Sequence, residues 1–335
     1  MLALREAQHG DRVSDFTLER ATRRTVPVFF GISSPSGAGK TFSALRLATG
    51  IQSVVGGRIA MIDTEDGRGT YYADRFDYDW IALGPPFRPR HYLEALQFAA
   101  SKGVQTCIID SFSHEHEGEG GMLEMHDAEL DRKTRGDASR RDALNMAAWI
   151  APKRERATLR NWIQRSRMNL IACFRAKEGA KPARKEGSTQ TEVVQTGWVP
   201  IGGDVYVYEM TASCLIYPGQ KGVPEWTGQT AGERQWIKLP IQFAPIFKDP
   251  RPLDERHGKE MALWAKGDDT LPSSAGTTAE GAAAGGNAQK PPPPTRRADD
   301  DPENEPCWKP VAGSRCKLVA GHAGRCIPGP PERSR

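Results

Sequence analysis

Short apolar runs alternate with amphipathic segments through the first two thirds of the chain. Continuous apolar runs indicate buried parallel strands, and apolar positions three and four residues apart indicate helices. The predicted strands lie at residues 26–32, 58–62, 80–83, 104–109 and 169–174. Helices are predicted from residue 41 onward, over 91–102 and over 153–166. This alternation predicts an α/β fold with a mostly parallel sheet flanked by helices.

The pattern changes towards the C-terminus. Residues 205–217 predict an antiparallel hairpin or a sheet edge, and the core is expected to close near Trp264. A stretch rich in Gly, Ala and Ser follows, then a proline run and an acidic run, a composition typical of a disordered linker. We therefore predict a lead-in over residues 1–24, a folded domain over 25–266, a linker over 267–306 and a Cys/His-rich tail over 307–335.

A loop of small residues joins the first predicted strand to the first predicted helix. It reads Ser36-Gly37-Ala38-Gly39-Lys40-Thr41. In this context the loop predicts a P-loop, whose backbone N–H groups and helix N-terminus bind phosphate. Lys40 is expected to contact the β- and γ-phosphates, and the Thr41 hydroxyl to ligate Mg²⁺. Ser34 replaces the first glycine of the motif. The predicted cofactors are ATP and Mg²⁺, and the predicted activity is ATP hydrolysis.

Acidic residues follow two of the predicted strands. Asp110 ends the strand at 104–109 and is predicted to hold Mg²⁺ through water. Glu65 follows the strand at 58–62 and is the favoured base for orienting the attacking water, because ligands bind at the carboxyl ends of parallel strands. Glu115 and Glu117 compete for this role.

Two basic residues follow the last predicted parallel strand. Arg175 and Lys177 come directly after residues 169–174 and are expected at the same carboxyl edge. Either side chain would then sense or stabilise the γ-phosphate. The alternative, a solvated loop charge, stays open for both.

Five segments form a more specific pattern than the P-loop alone. They are Ser36-Gly37-Ala38-Gly39-Lys40-Thr41-Phe42-Ser43-Ala44-Leu45; Ile62-Asp63-Thr64-Glu65 with Tyr71-Tyr72-Ala73-Asp74; Ile108-Ile109-Asp110-Ser111-Phe112-Ser113-His114-Glu115 with Gly118, Gly120 and Gly121; Ala148-Trp149-Ile150-Ala151-Pro152-Lys153; and Arg175-Ala176-Lys177-Glu178. Over roughly residues 25–220, their order resembles phage and prophage ATP-binding proteins of the RecA-like P-loop branch. The resemblance implies a RecA-like core, Glu65 as the hydrolytic glutamate, and a role in phage DNA recombination or single-strand annealing.

Charge is distributed unevenly along this chain of net charge +4. Residues 131–190 hold 16 Lys and Arg against 6 Asp and Glu, whereas residues 110–131 hold eight acids and no Lys or Arg. A basic stretch of this kind predicts a polyanion-binding face, with single-stranded DNA as the expected partner and Arg154, Arg156 and Arg160 as candidate contacts. A solvated helical surface stays open as the alternative. Trp149, Trp162 and Phe174 in this stretch are expected in the core rather than as base-stacking platforms.

Other functions remain open. A nucleotide-switch module that recruits or loads another phage recombination or replication protein is the alternative to a DNA-dependent ATPase. A small-molecule kinase has less support, because the sequence shows no Arg-rich lid segment. Assembly of this chain into a homo-oligomer also stays open.

The cysteines fall into two groups. Cys107, Cys173 and Cys214 lie in apolar runs and are expected in the core of a protein in a reducing compartment. Three thiols and an imidazole in the tail have a spacing that suits tetrahedral Zn²⁺, the alternative being a disordered tail. These residues are Cys307, Cys316, His322 and Cys326. No apolar run of about 18 residues or signal peptide occurs, so a cytoplasmic protein is expected, in the host cytoplasm if phage-encoded.

Overall fold

The apolar runs form the strands of one seven-stranded sheet. The strands are β1 (Phe29–Ser34), β2 (Arg58–Asp63), β3 (Asp79–Ala82), β4 (Val104–Asp110), β5 (Asn169–Arg184), β6 (Thr191–Pro200) and β7 (Ala212–Leu215). Six of them lie in the order β3-β2-β4-β5-β1-β7 and pair in parallel, and β6 pairs antiparallel with β5. The predicted α/β class with a mostly parallel sheet is confirmed.

This computed structural model describes Arg20, residues 25–184 and 191–267, and the short segments 310–311 and 314–315. The chain divides into two units, Met1–Gly276 and Thr277–Arg335. In the second unit, β8 (Pro310–Val311) pairs antiparallel with β9 (Ser314–Arg315). The predictions of a lead-in, a linker and a tail otherwise lie outside the described residues.

Helices cover both faces of the sheet. They are α1 (Lys40–Val55), α2 (Pro89–Ser101), α3 (His114–Glu117), α4 (Met122–Thr134), α5 (Arg141–Ala148), α6 (Ile150–Arg165), α7 (Ala231–Trp236) and α8 (Glu255–Lys266), with 3₁₀ turns at Arg68–Tyr72, Ala138–Arg140 and Asp204–Tyr206. Leu45 of α1 and Met261 of α8 belong to one buried cluster, and Leu96 of α2 and Leu159 of α6 belong to a second. Burial of these two apolar faces against the sheet stabilises the three-layer arrangement.

Strand β5 continues well beyond its predicted end. Its first part pairs in parallel with β1 as far as Arg175, and from Ala176 onward it pairs antiparallel with β6, forming a two-stranded ribbon. The prediction stopped at residue 174 because the following residues are polar and include Gly179 and Pro182. A ribbon outside the sheet's apolar core lacks the continuous apolar run on which strand prediction depends.

The prediction of a hairpin over residues 205–217 is wrong, and its alternative, a sheet edge, is confirmed. Asp204–Tyr206 forms a 3₁₀ turn, and β7 then pairs in parallel with β1 at one end of the strand order. The Tyr206 ring is fully buried, with its centroid 4.7 Å from that of Phe112. Alternating Val and Tyr residues suggested a strand, but tertiary packing of the tyrosine determined a turn.

The parallel register brings several strand ends to one edge. Asp63 at the end of β2 is opposite Asp110 at the end of β4, and Ser34 at the end of β1 is opposite Arg175 on β5. Side chains from distant parts of the chain therefore converge at this carboxyl edge. Among the described residues, no helix is long and apolar enough to cross a membrane.

Candidate functional site

The small-residue loop bends tightly between β1 and α1. Gly37 and Gly39 have φ angles of 78° and 98°, a left-handed conformation that side chains other than glycine rarely adopt. Ala38 is 2% exposed and packs in the α1 core cluster. The loop backbone therefore faces solvent, while the buried Ala38 side chain packs into the core.

A cleft of about 520 Å³ opens above this loop at the carboxyl edge. Its lining residues include most of those predicted from the sequence together with several that were not. They are Ser36, Gly37, Gly39, Lys40, Thr41, Glu65, Arg68, Tyr72, Asp110, Glu117, Arg175, Ala176 and Ile201. The Lys40 ammonium donates to the Ser34 carbonyl oxygen at 3.5 Å and lies within the cleft.

The hydroxyl of Thr41 and the carboxyl of Asp110 meet at the floor of the cleft. Thr41 Oγ1 donates to Asp110 Oδ2 at 2.5 Å, although the two residues are far apart in the chain. Burial raises the pKa of the Asp110 carboxyl to about 6, with the Lys40 charge and the Thr41 hydrogen bond acting in the opposite direction. The sequence placed these two residues in one site, and the fold brings their oxygens into contact.

Asp63 and Thr64 shape the turn that carries Glu65. Asp63 accepts hydrogen bonds from the N–H groups of Glu65 (2.7 Å) and Gly69 (3.1 Å) and from Trp80 Nε1 (2.9 Å). Thr64 Oγ1 accepts from the Ser111 N–H at 2.8 Å, which ties the ends of β2 and β4 together. Asp63 is thus a structural cap of this turn.

Glu65 lies in the cleft between two arginines. Arg175 Nε and Nη2 donate to Glu65 Oε1 at 3.1 and 2.8 Å. Arg68 Nη1 lies 3.7 Å from the other carboxylate oxygen, Oε2. The Glu65 and Arg175 side chains remain 22% and 40% exposed, so solvent and a ligand can reach this pair.

Glu115 lies in a different environment. Its side chain is 1% exposed and accepts hydrogen bonds from Arg156 Nε (2.7 Å) and Nη2 (2.5 Å) and from the Tyr206 hydroxyl (3.3 Å). Burial raises the pKa of the Glu115 carboxyl, against the opposing effect of Arg156. Of the three candidate bases, the cleft lining includes Glu65 and Glu117 but not Glu115 among the described residues.

The predicted basic residues are separated by the fold. Arg175 lines the cleft, while Lys177 is exposed at the start of the ribbon and is absent from the described cleft lining. Arg156 is 12% exposed and paired with Glu115, so little of its guanidinium is accessible to a partner. Arg160 Nε lies 3.6 Å from Glu209 Oε1, whereas Arg154 is exposed. In the sequence of α6, polar and charged residues lie on both sides of the buried Leu159 and Ile163. The sequence pattern therefore did not show which arginines are paired and which are exposed.

Of the three aromatic residues of the basic stretch expected in the core, Phe174 and Trp162 belong to a core cluster, whereas Trp149 is half-buried outside both clusters. Phe174 is fully buried, and Trp162 packs against the second apolar cluster. The Trp149 ring stacks on the His126 ring with centroids 4.4 Å apart. Cys107, Cys173 and Cys214 are all buried, as expected.

Sequence reasoning missed Arg68 and the role of Tyr72. Arg68 begins a 3₁₀ turn three residues after Glu65, and the Tyr72 ring packs 5.6 Å from that of Phe42 of α1. One sequence signal could have identified Arg68. It lies in the Gly-rich segment Asp66-Gly67-Arg68-Gly69 directly after Glu65, and a turn that follows a parallel strand lies at the carboxyl edge of the sheet.

The proposed zinc ligands in the tail lie outside the described residues. Within the described part of the chain, no group of three or more His, Cys, Asp or Glu side chains is arranged to hold a metal ion. Comparison with models of known protein families found no match, and comparison with curated proteins found no similar protein.

Proposed function

We propose that this chain binds ATP with Mg²⁺ in the cleft at the carboxyl edge and hydrolyses it. The observation that carries the proposal is the meeting of Thr41 Oγ1 and Asp110 Oδ2 beside the glycine loop and the Lys40 ammonium. A hydroxyl and a carboxylate at a phosphate-binding helix N-terminus are the protein groups that a P-loop supplies to Mg²⁺. The same residues carry the resemblance to RecA-like ATPases, and a RecA-like core is part of the proposal.

The residues present fit these ligands. Apart from its chain neighbours, no described residue has an atom within 4 Å of the position that a Cβ would take at Gly37, so open space for phosphate oxygens lies beside this part of the loop. Mg²⁺ prefers oxygen ligands and keeps several waters beside one or two protein groups and the phosphates, so Thr41 and Asp110 suffice without a larger cluster. A bound Mg²⁺ supplies charge neutralisation at the β- and γ-phosphates.

Different residues of the cleft have different roles in the proposed hydrolysis. Lys40 and the N–H groups of the loop hold the phosphates, and Arg175 stabilises negative charge on the γ-phosphate. The Glu65 carboxylate accepts a proton as water attacks the γ-phosphorus. The bond from that phosphorus to the β–γ bridging oxygen breaks, which leaves ADP and inorganic phosphate. Glu117 stays the alternative base, because it also lines the cleft.

Lys40→Ala tests the phosphate site. Loss of the ammonium should reduce ATP affinity and turnover by at least about tenfold, because a charge-assisted contact to phosphate is lost. Fluorescent-nucleotide titration and phosphate release measure the two effects. Lys102→Ala, an exposed lysine directly after α2, serves as the matched control. Unchanged affinity and turnover in Lys40→Ala would exclude this cleft as the ATP site.

We propose that single-stranded DNA is the partner and that the chain acts in phage recombination or annealing. Support comes from the resemblance and from exposed cations that remain in the basic stretch, among them Lys153, Arg154, Lys177 and Lys181. Several other cations there are paired within the chain, as in Arg132 with Glu129 and Arg141 with Asp131. The polyanion-binding face is thus smaller than the charge count suggested.

Salt dependence tests the DNA proposal. Affinity for single strands should fall with salt by a slope of about −0.7 in log–log form for each phosphate neutralised. Arg154→Glu with Lys181→Glu should flatten this slope without changing ATP affinity, and Lys102→Glu should leave it unchanged. A wild-type protein with no salt-dependent binding and no DNA stimulation of turnover would instead support the nucleotide-switch module. One observation favours the nucleotide-switch module. A bound γ-phosphate could displace the contact between Arg175 and Glu65, and such a change in protein contacts is what a switch requires.

A further inference from the structure

The Glu65 carboxylate is already engaged. Arg175 occupies Oε1 with two N–H donors, and Arg68 lies near Oε2. A general base must have an oxygen within hydrogen-bond reach of the water that it deprotonates. The oxygen Oε1 therefore cannot serve a water while both guanidinium donors of Arg175 point at it.

The backbone of Arg175 is fixed more firmly than its side chain. Its N–H donates to Ser113 Oγ at 2.9 Å, and its carbonyl oxygen accepts from the Ile201 N–H at 2.8 Å. Ser113 is fully buried and its hydroxyl donates to the Ile201 carbonyl oxygen at 2.9 Å. The guanidinium, in contrast, lies at the end of a flexible side chain that is 40% exposed in the cleft. A change of partner is therefore a side-chain movement on a fixed backbone.

We propose that the Arg175 guanidinium exchanges one partner, the Glu65 carboxylate, for another, the γ-phosphate. Without a γ-phosphate its guanidinium holds Glu65 Oε1, and with ATP bound the guanidinium turns to the phosphate and leaves that oxygen to the attacking water. The inference rests on the proposed function, since it requires ATP in this cleft. The oxygen Oε1 is then released from both Arg175 donors only when the nucleotide to be hydrolysed is present.

Charge and geometry support the exchange. Glu65, Arg68, Arg175 and Lys40 line one cleft, so a γ-phosphate above the loop competes directly with the carboxylate for the guanidinium. Arginine binds carboxylate and phosphate with the same planar fork of donors, and phosphate carries more negative charge. ADP lacks the competing group, so it leaves the pair between Glu65 and Arg175 in place.

Nucleotide affinities of single and double variants test the exchange in the full chain. If Glu65 competes for Arg175, Glu65→Gln should tighten binding of the β,γ-imido analogue of ATP by about two- to fivefold, the range of a partly exposed ion pair. The affinity for ADP should stay unchanged. In the Arg175→Met background, the same Glu65→Gln change should give no tightening. Titration calorimetry measures all affinities, and Asp66→Asn, which removes a neighbouring exposed charge, is the matched control.

Three outcomes separate the explanations. Equal tightening by Glu65→Gln with and without Arg175 would mean that Glu65 only repels the phosphate, and it would overturn the exchange while leaving ATP binding intact. If Glu65→Gln changed the affinities for the ATP analogue and for ADP equally, the pair of Glu65 and Arg175 would have only a structural role. This result would also overturn the exchange. Failure of the wild type to bind either nucleotide would refute the proposed function, and the exchange with it.

Discussion

Two pairs of glutamate and arginine lie close to the carboxyl edge, and they differ in burial. Glu65 and Arg175 have side chains that are 22% and 40% exposed, and Glu115 and Arg156 have side chains that are 1% and 12% exposed. The hydrogen bonds have similar lengths, with an Nη2 to carboxylate distance of 2.8 Å in the first pair and 2.5 Å in the second. Arg175 donates only to Oε1 of Glu65, whereas Arg156 donates to both oxygens of Glu115, so the pairs differ in solvent access and in how fully the carboxylate is bonded.

The difference shows why residue type alone does not identify a catalytic base. An exposed pair contributes little to stability and can exchange a partner for a ligand. A buried pair cannot, because a charge left alone in the interior carries a large desolvation cost. The pair in the cleft therefore suits chemistry, and the pair under α6 suits the attachment of this helix to α3.

The largest expected effect separates the two glutamates by activity. Glu65→Gln should lower ATP turnover by about 10²–10⁴ while ATP still binds, as loss of a general base does. Glu115→Gln should keep turnover per folded molecule within about tenfold of the wild type, because its carboxyl does not line the cleft. Steady-state phosphate release with folded fraction measured by circular dichroism tests both. Loss of turnover in Glu117→Gln but not in Glu65→Gln would transfer the role of base to Glu117.

The second expected effect separates the two arginines by stability. Arg156→Met should lower the free energy of unfolding by about 3–5 kcal/mol, because Glu115 is left charged and buried without its partner. Arg175→Met should cost at most about 1 kcal/mol, since Glu65 stays accessible to water. Urea denaturation measures both. The double variant Arg156→Met with Glu115→Gln should recover part of the loss, and equal losses in the two single variants would contradict the comparison.

A smaller effect is expected at the serine that anchors the cleft pair. Ser113→Ala removes the acceptor for the Arg175 N–H and the donor for the Ile201 carbonyl oxygen. The unfolding free energy should fall by about 1–3 kcal/mol, because buried polar groups lose their partners. Thermal or urea denaturation measures this change. Ser113→Thr retains the hydroxyl and is the control, and an unchanged stability in Ser113→Ala would mean that water replaces the lost bonds.

The smallest effect should appear at two histidines, one beside each pair. Burial lowers the pKa of His114, and Arg175 lowers it further, while burial and then Arg156 lower the pKa of His116. Removing a nearby cation favours the protonated ring, so Arg175→Met should raise the pKa of His114 and leave that of His116 unchanged. Arg156→Met should do the reverse. NMR titration of the ring protons measures both values, and parallel shifts of both histidines in either variant would show that the pairs are not independent.

Much of the sheet and the glycine loop between β1 and α1 could be predicted from the sequence because their signals are local. Apolar runs located β1, β2, β3, β4 and the first part of β5, with ends displaced by a few residues. The strand–loop–helix context around Lys40 identified the loop. The β5–β6 ribbon and the parallel placement of β7 were missed, since neither depends on a continuous apolar run.

The sequence by itself determined which residue types stand at the carboxyl edge of the parallel strands, including Glu65, Asp110 and Arg175. Only the tertiary structure decided which of them meet. Arg175 and Glu65 are 110 residues apart in the chain, and Arg156 and Glu115 are 41 apart. Such contacts depend on strand order and register and on which helix covers which face, so no local pattern encodes them. Burial, which makes one ion pair exchangeable and the other permanent, likewise arises only when the layers pack together.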